Sequence, residues 1–229
     1  MPKLYIIATP IGNLNDNSLR AIETLKEVDL ILCEDTRVTK KLLDNYQISK
    51  PTISYHQHSK LKKAEYVAKL LGDGKNLALV SDAGTPGIAD PGNELINYIL
   101  EVLPGTEIIP VPGASALATA ASIAGFPMDR FLFLGFLPHK KNRNRLLKEM
   151  IDSKYPVIFY ESPYRIIKTL DALRTLNPNL RAVVCREMTK YFETIYRGDI
   201  SAVADKVKKD PQRGEYTVIV WGRQRTISG

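Results

Sequence analysis

The chain has 229 residues, 44% hydrophobic and 25% charged, the balance of an ordinary globular protein rather than of a disordered or membrane-embedded one. That length holds one large α/β domain or two of about 110 to 120 residues each. The net charge of +7 favours a polyanionic partner, and no apolar run approaches the roughly 20 residues of a membrane-spanning helix.

Met1-Pro2-Lys3-Leu4-Tyr5 enters a strand-like run at once, with no charged n-region, long apolar h-region or small-residue cleavage site, so the cytoplasm is the expected compartment. Residues 4–8 read as a strand. Asn15-Asp16-Asn17-Ser18 then caps a helix expected to bury Leu19, Ile22 and Leu25. Residues 29–33 repeat the pattern, with Asp35 or Thr36 as N-cap of a helix carrying Leu42 and Leu43. His56 and His58 flank Gln57 on one face of a strand, a pair that is more often polar surface than metal ligand. Ala64, Val67, Ala68 and Leu71 fall at helical spacing over residues 60–71, with Gly72 expected just past the end as the C′ residue.

Leu77-Ala78-Leu79-Val80 is a short apolar run that empties into Ser81-Asp82-Ala83-Gly84-Thr85-Pro86-Gly87-Ile88-Ala89-Asp90-Pro91-Gly92. A Gly, Pro and Asp loop at the carboxyl end of a strand is where open α/β sheets bind small molecules. Leu95, Ile96, Ile99 and Leu100 mark a further helix, residues 107–111 a strand, and Pro112-Gly113-Ala114-Ser115 a turn opening a small-residue helix over 116–124. Strands alternating with helices imply a parallel sheet with right-handed crossovers. The four strand-end loops, 9–13, 34–37, 81–92 and 112–116, then share one sheet edge.

The second half changes character over residues 125–156, where a domain boundary is expected. There the apolar run Phe131-Leu132-Phe133-Leu134-Gly135-Phe136-Leu137-Pro138 meets five cationic side chains, Lys140, Lys141, Arg143, Arg145 and Lys148, in a segment that reads equally as a solvated helix start and as an RNA contact. Strands are expected at 157–160, 181–185, 192–197 and 216–221 and helices at 164–176 and near 201–208, giving a mixed sheet with antiparallel members. Cys33 and Cys185 lack metal or redox spacing and read as two buried thiols. No dinucleotide fingerprint, P-loop, zincin or nucleophile-elbow motif occurs.

Six segments together carry a family resemblance: Ala8-Thr9-Pro10-Ile11-Gly12-Asn13-Leu14, Cys33-Glu34-Asp35-Thr36-Arg37, the 81–92 loop, Val111-Pro112-Gly113-Ala114-Ser115-Ala116, Gly135-Phe136-Leu137-Pro138 and Arg186-Glu187-Met188-Thr189-Lys190. In this order the chain resembles the ribosomal RNA small-subunit methyltransferase I group of the tetrapyrrole-methylase-like (class III) superfamily. The resemblance implies two α/β domains, residues 1–115 with a mainly parallel sheet and 116–229 with a mixed one, with S-adenosylmethionine in the cleft between them. It also implies a homodimer that methylates the ribose 2′-hydroxyl of a decoding-centre cytidine in 16S rRNA or the small ribosomal subunit. Members of the group typically run on past the position of Gly229.

Carried over by position, the implied cofactor contacts are Pro10, Ser81, Asp82, Ala83, Gly84, Ile88, Ser115, Ala116 and Tyr160. No metal is implied. Transfer of an activated methyl asks mainly for positioning, with a base to take the hydroxyl proton, and Glu34, Asp35, His58, Glu187 and Lys190 are the candidates. Arg20, Arg37, Lys140, Lys141, Arg143 and Arg145 are the expected phosphate contacts. The alternatives are methylation of a tetrapyrrole or protein side chain within the same superfamily, and a non-catalytic RNA-binding assembly factor.

Overall fold

The computed structural model describes residues 2–55, 61–90 and 92–222. The chain divides into two compact units, Met1–Ser115 and Ala116–Gly229, so the compositional change at 125–156 falls inside the second.

The first unit is a five-stranded, all-parallel sheet in the order β3-β2-β4-β1-β5, with β1 Lys3–Ile7, β2 Leu30–Cys33, β3 Thr52–Ser54, β4 Leu77–Leu79 and β5 Glu107–Val111. Alternation along the strands builds two cores. Ile7, Ile31, Cys33 and Ala78 pack with Ala21, Leu25 and Leu43 of helices α1 (Leu19–Glu27) and α2 (Thr36–Asn45). Leu4, Leu32, Leu77 and Leu79 pack with Val67, Leu71, Leu95 and Ile99 of α3 (Leu61–Gly72) and α4 (Asn93–Val102). A sheet buried on both faces forces the crossover helices to both sides.

Two local expectations are corrected. Leu19 is 79% exposed, because α1 turns Ala21, Thr24 and Leu25 inward from an N-cap at Ser18, whose hydroxyl accepts from the Ala21 N–H at 3.1 Å. Gly72 is not the C′ residue. α3 runs through it, and Gly74, at φ +84°, takes the left-handed position: its N–H donates to the Leu71 carbonyl and the Lys75 N–H to that of Leu70, the paired bonds of a Schellman end.

The second unit carries helix α5 (Ala116–Ser122, shorter than its 116–124 expectation) and a mixed sheet in the order β6-β7-β10-β8-β9, with β6 Leu132–Phe136, β7 Val157–Glu161, β8 Arg181–Arg186, β9 Thr194–Asp199 and β10 Tyr216–Trp221. β6 and β7 are parallel, and the remaining pairs are antiparallel. One core lies between this sheet and α6 (Arg143–Ile151), α7 (Ile166–Leu176) and α8 (Ile200–Lys209), built on Phe159, Val184, Val218, Leu170 and Val203. Cys33 and Cys185 are both buried, and burial pushes the Cys185 thiol to about 11. Among the described residues no helix is long and apolar enough to cross a membrane.

Candidate cofactor site at the strand ends

Because β2, β4, β1 and β5 are parallel neighbours, their carboxyl ends bring the predicted loops to one edge in the order 34–37, 81–90, 9–13 and 112–115, while Ala116, expected as the last residue of the fourth loop, opens α5 in the second unit. The sequence order of these strands changes direction between β4 and β1, the position at which open α/β sheets form a ligand crevice. His56 and His58 lie outside the described residues.

Hydrogen bonds lash the loops to one another. Thr9 and Gly84 exchange both backbone bonds, at 2.9 and 3.0 Å, forming an isolated antiparallel bridge, and the buried Thr9 hydroxyl donates to the Ser81 carbonyl at 3.2 Å. The Thr85 hydroxyl reaches the Ala114 carbonyl at 3.2 Å. On the other side, an Asp82 carboxylate oxygen accepts from the Asp35 N–H at 2.9 Å. Thr9 and Thr85 therefore join the site beyond the expected residues. They lie inside the predicted motifs, but only the pairing of strands distant in sequence shows what they hold.

Small residues are required where these loops meet. Gly84 has φ +82°, and a Cβ there would stand 3.3 Å from Ile11 Cγ2. A Cβ on Gly113 would stand 3.1 Å from Ala8 Cβ and 3.3 Å from its carbonyl oxygen. The loop tops are thus backbone and short side chains, open to close approach by a ligand.

The individual expected residues divide by exposure. Pro10 and Ser81 are buried, and the Ser81 hydroxyl, 3.3 Å from the Ala83 and Gly84 carbonyls, tightens the loop rather than presenting outward. Asp82 and Ile88 are exposed, whereas Ala83, Ser115 and Ala116 are half-buried. Desolvation by the surrounding loop raises the Asp82 carboxyl and the neighbouring Asp35 charge adds to this, against the Asp35 N–H and Arg37, which lower it. Tyr160 is in the second unit, on β7, with its ring edge-on to Phe133 and Phe136 at 5.1 and 5.4 Å.

Asp35 is the N-cap of α2, accepting from the Arg37 N–H at 2.8 Å, and its carboxylate also grips the Arg37 guanidinium at 2.6 Å. The Arg37 side-chain hydrogen bond, then its backbone bond, hold the Asp35 carboxyl down at about 2. In the second unit, the Arg186-to-Lys190 segment is a tight turn with Glu187 at φ +50° and Thr189 at φ +66°. The Lys190 ammonium donates to Glu187 at 2.9 Å and to Glu215 at 2.8 Å. Burial favours the neutral forms of Glu187 and Lys190, but the bonds of Lys190 to Glu215 and Glu187, and that of the Glu215 N–H to Glu187, win, lowering Glu187 and raising Lys190. Lys190 is therefore a cation at neutral pH, its charge already met by Glu187 and Glu215.

The expected phosphate contacts do not all face solvent. Lys140, Lys141 and Arg145 are exposed, with Arg145 paired to Glu149 at 3.3 Å. Arg20 is exposed and donates to the Pro110 carbonyl, and the Arg37 side chain is 87% exposed. Arg143 turns inward: its side chain is 11% exposed and bonds to Thr169 at 2.6 Å beside the buried Glu161.

Among the described residues no group of three or more His, Cys, Asp or Glu side chains is placed to hold a metal ion. The chemistry of the strand-end set fits an adenosyl amino acid: a carboxylate for an ammonium or ribose hydroxyls, backbone groups for the polar edges, and Ile88 as apolar cover.

The two-sheet architecture is shared with solved structures. Diphthine synthase superposes at a TM-score of 0.74 with 14% identity, covering 97% of this chain and 90% of that one. A cobalt precorrin-4 methyltransferase superposes at 0.69 with 18% identity over 95% and 94%. The fold is thus that of the class III methyltransferases. The family model of the tetrapyrrole (corrin/porphyrin) methylases matches residues 3–204. Proteins of Thermotoga maritima and Halalkalibacterium halodurans, both named ribosomal RNA small subunit methyltransferase I, are 43% and 44% identical to the chain. Each match spans 98% of this chain, and they cover 100% and 77% of those relatives. The chain belongs to the tetrapyrrole methylase family and, within it, to the ribosomal RNA small subunit methyltransferase I group. S-adenosylmethionine is the methyl donor of this family.

Proposed function

We propose that the chain methylates small-subunit 16S rRNA at the ribose 2′-hydroxyl of a decoding-centre cytidine, acting in the cytoplasm as a homodimer. The observation that carries the rRNA substrate is 43% identity over nearly the whole chain to a relative named for that rRNA. The cytidine and its 2′-oxygen rest on the family resemblance of the motifs. The net charge of +7 suits a polyanionic substrate.

When bound, the cofactor supplies a methyl on a sulfonium, which leaves with its bonding pair staying on sulfur. The chain's own residues hold the partners in line. The loop 81–92, through Asp82, Ala83, Gly84 and Ile88, together with Pro10, Ser115 and Ala116, binds the donor. Tyr160 is assigned to it on the resemblance alone. Positioning of the ribose oxygen then provides much of the rate. The hydroxyl proton passes to a carboxylate late in transfer. Of the carboxylate candidates Asp35 is held near 2 and Glu187 is also lowered, by Lys190 and the Glu215 N–H, which leaves Glu34, and Lys190 is already protonated. Arg20, Arg37, Lys140, Lys141 and Arg145 neutralise phosphates, while Arg143 shapes the turn that presents Lys140 and Lys141.

The test is transfer of radiolabelled methyl from S-adenosylmethionine to purified small subunits and to naked rRNA, followed by nuclease digestion and mapping. Label in a 2′-O-methylcytidine is expected; no incorporation into either substrate overturns the assignment. Sedimentation velocity tests the dimer.

A further inference from the structure

Glu161, at the end of β7, has no side-chain exposure and sits between two arginines. It accepts from the Arg165 guanidinium at 2.7 Å, from the Thr169 hydroxyl at 2.6 Å and from the Ser162 N–H at 2.9 Å, with Arg143 at 3.7 Å. The same two arginines reach outward to the preceding loop: Arg165 donates to the Leu137 carbonyl at 2.8 Å and Arg143 to the Pro138 carbonyl at 3.3 Å. One buried carboxylate thus clamps the turn after β6 to the turn after β7.

The clamp has a surface consequence. β6 and β7 are parallel neighbours, so their carboxyl ends emerge together, and Phe136 and Tyr160 are register partners there. Next to the clamped Leu137 stands Phe136, 58% exposed, and next to the clamped Arg165 stands Tyr164, 94% exposed. Directly after the clamped Pro138 come the exposed His139, Lys140 and Lys141. In sequence the cations have no aromatic residues interleaved among them; the fold ties the turn that leads into them, with Phe136 at its start, to the turn that carries Tyr164.

We infer that the β6 and β7 ends form a single-strand RNA surface, on which Tyr164 and Phe136 stack bases while Lys140 and Lys141 neutralise the adjoining phosphates, with Glu161 as the positioning residue. Exposed aromatic faces beside cations are what unstacked bases and their backbone require, and duplex RNA, whose bases are already stacked, cannot use the aromatic half. The inference rests on the proposed rRNA substrate and adds the residues that select an unpaired segment of it.

Binding of fluorescein-labelled single-stranded RNA, and of a duplex of the same sequence, is measured against salt for the full chain and for Tyr164→Leu, Tyr164→Trp, Phe136→Leu and the pair Lys140→Gln with Lys141→Gln. Each leucine variant is expected to weaken single-strand binding on the order of ten-fold with an unchanged salt slope, and Tyr164→Trp to retain it. The lysine pair is expected to reduce the slope by about one per cation on both RNAs. Tyr164 is almost wholly exposed, so its variants fold. Wild-type single-strand affinity in Tyr164→Leu overturns the inference while rRNA methylation by the same preparation leaves the proposed function standing. Loss of S-adenosylmethionine binding in Tyr164→Leu, read by calorimetry, also overturns it by placing the aromatic at the cofactor. A wild-type chain that neither binds nor methylates rRNA overturns both.

Discussion

At Asp82, an exposed side chain partly desolvated by the loop also accepts from a backbone amide. The residue keeps its hydrogen bond from Asp35 whether it is a carboxylate or an amide, so Asp82→Asn removes charge while leaving the acceptor in place. We expect its S-adenosylmethionine affinity to fall about ten-fold, the scale of one charge-assisted hydrogen bond, with stability changed by less than about 1 kcal/mol. Calorimetry and denaturant unfolding check the two halves; normal affinity removes Asp82 from the site. Asp35 makes a pH prediction. Its folded pKa, about 2, lies below the ordinary value of 3.8, so its stabilisation is present above the unfolded value and is lost as pH falls through the window from about 4 to about 2. Asparagine is an equally good N-cap, so Asp35→Asn should flatten stability across that window and leave the helix intact, as followed by circular dichroism. Asp35 was legible in the sequence as a cap; its grip on Arg37 was not, because side-chain direction depends on the turn the cap creates.

Among the elements, the end of α3 separates what composition signals from what geometry uses. Gly72 and Gly74 both follow the apolar stripe, and sequence spacing points to Gly72 as the terminator. In the fold the bonds from Gly74 and Lys75 close the end, with Gly74 at φ +84° and Gly72 still helical. Opposite effects follow from the same substitution. Gly72→Ala, with open space around its Cβ, should stabilise by up to about 1 kcal/mol through helix propensity, and Gly74→Ala should destabilise by about 1 kcal/mol through the left-handed backbone, as measured by urea unfolding. The same limit explains Leu19. Helical periodicity shows that α1 has an apolar face, yet which turn of that face reaches the sheet depends on where the chain enters from Ser18. Most strands were legible because short apolar runs bounded by Gly, Pro and Asp have few other solutions, but the short β3 was not read and β6 was read only as an apolar run. The β9 start was misjudged by two residues because Phe192, an apolar residue by type, is 67% exposed before the strand.

For the molecule as a whole, two compact units divide the labour: one parallel sheet gathers small-residue loops, and one mixed sheet carries the clamped cations and aromatics. Removing Glu161 leaves the guanidiniums of Arg143 and Arg165 without their counter-charge in the second unit. Glu161→Ala should therefore cost about 3 to 5 kcal/mol there, read from the fluorescence of Trp221, the chain's single tryptophan, on β10. An unchanged midpoint would show that the clamp does not hold the unit. The amino-acid sequence by itself determined the alternation of strands and helices, the parallel and mixed sheet types, the strand-end loops and the family, because these depend on local periodicity, turn chemistry and motif order. Only the tertiary structure decided that Thr9 pairs with Gly84, that Arg143 turns its charge to Glu161, and that Arg165, next to Tyr164, is tied to the Leu137 carbonyl. Those outcomes depend on which strands become neighbours and on the burial that follows, and no single segment carries that information.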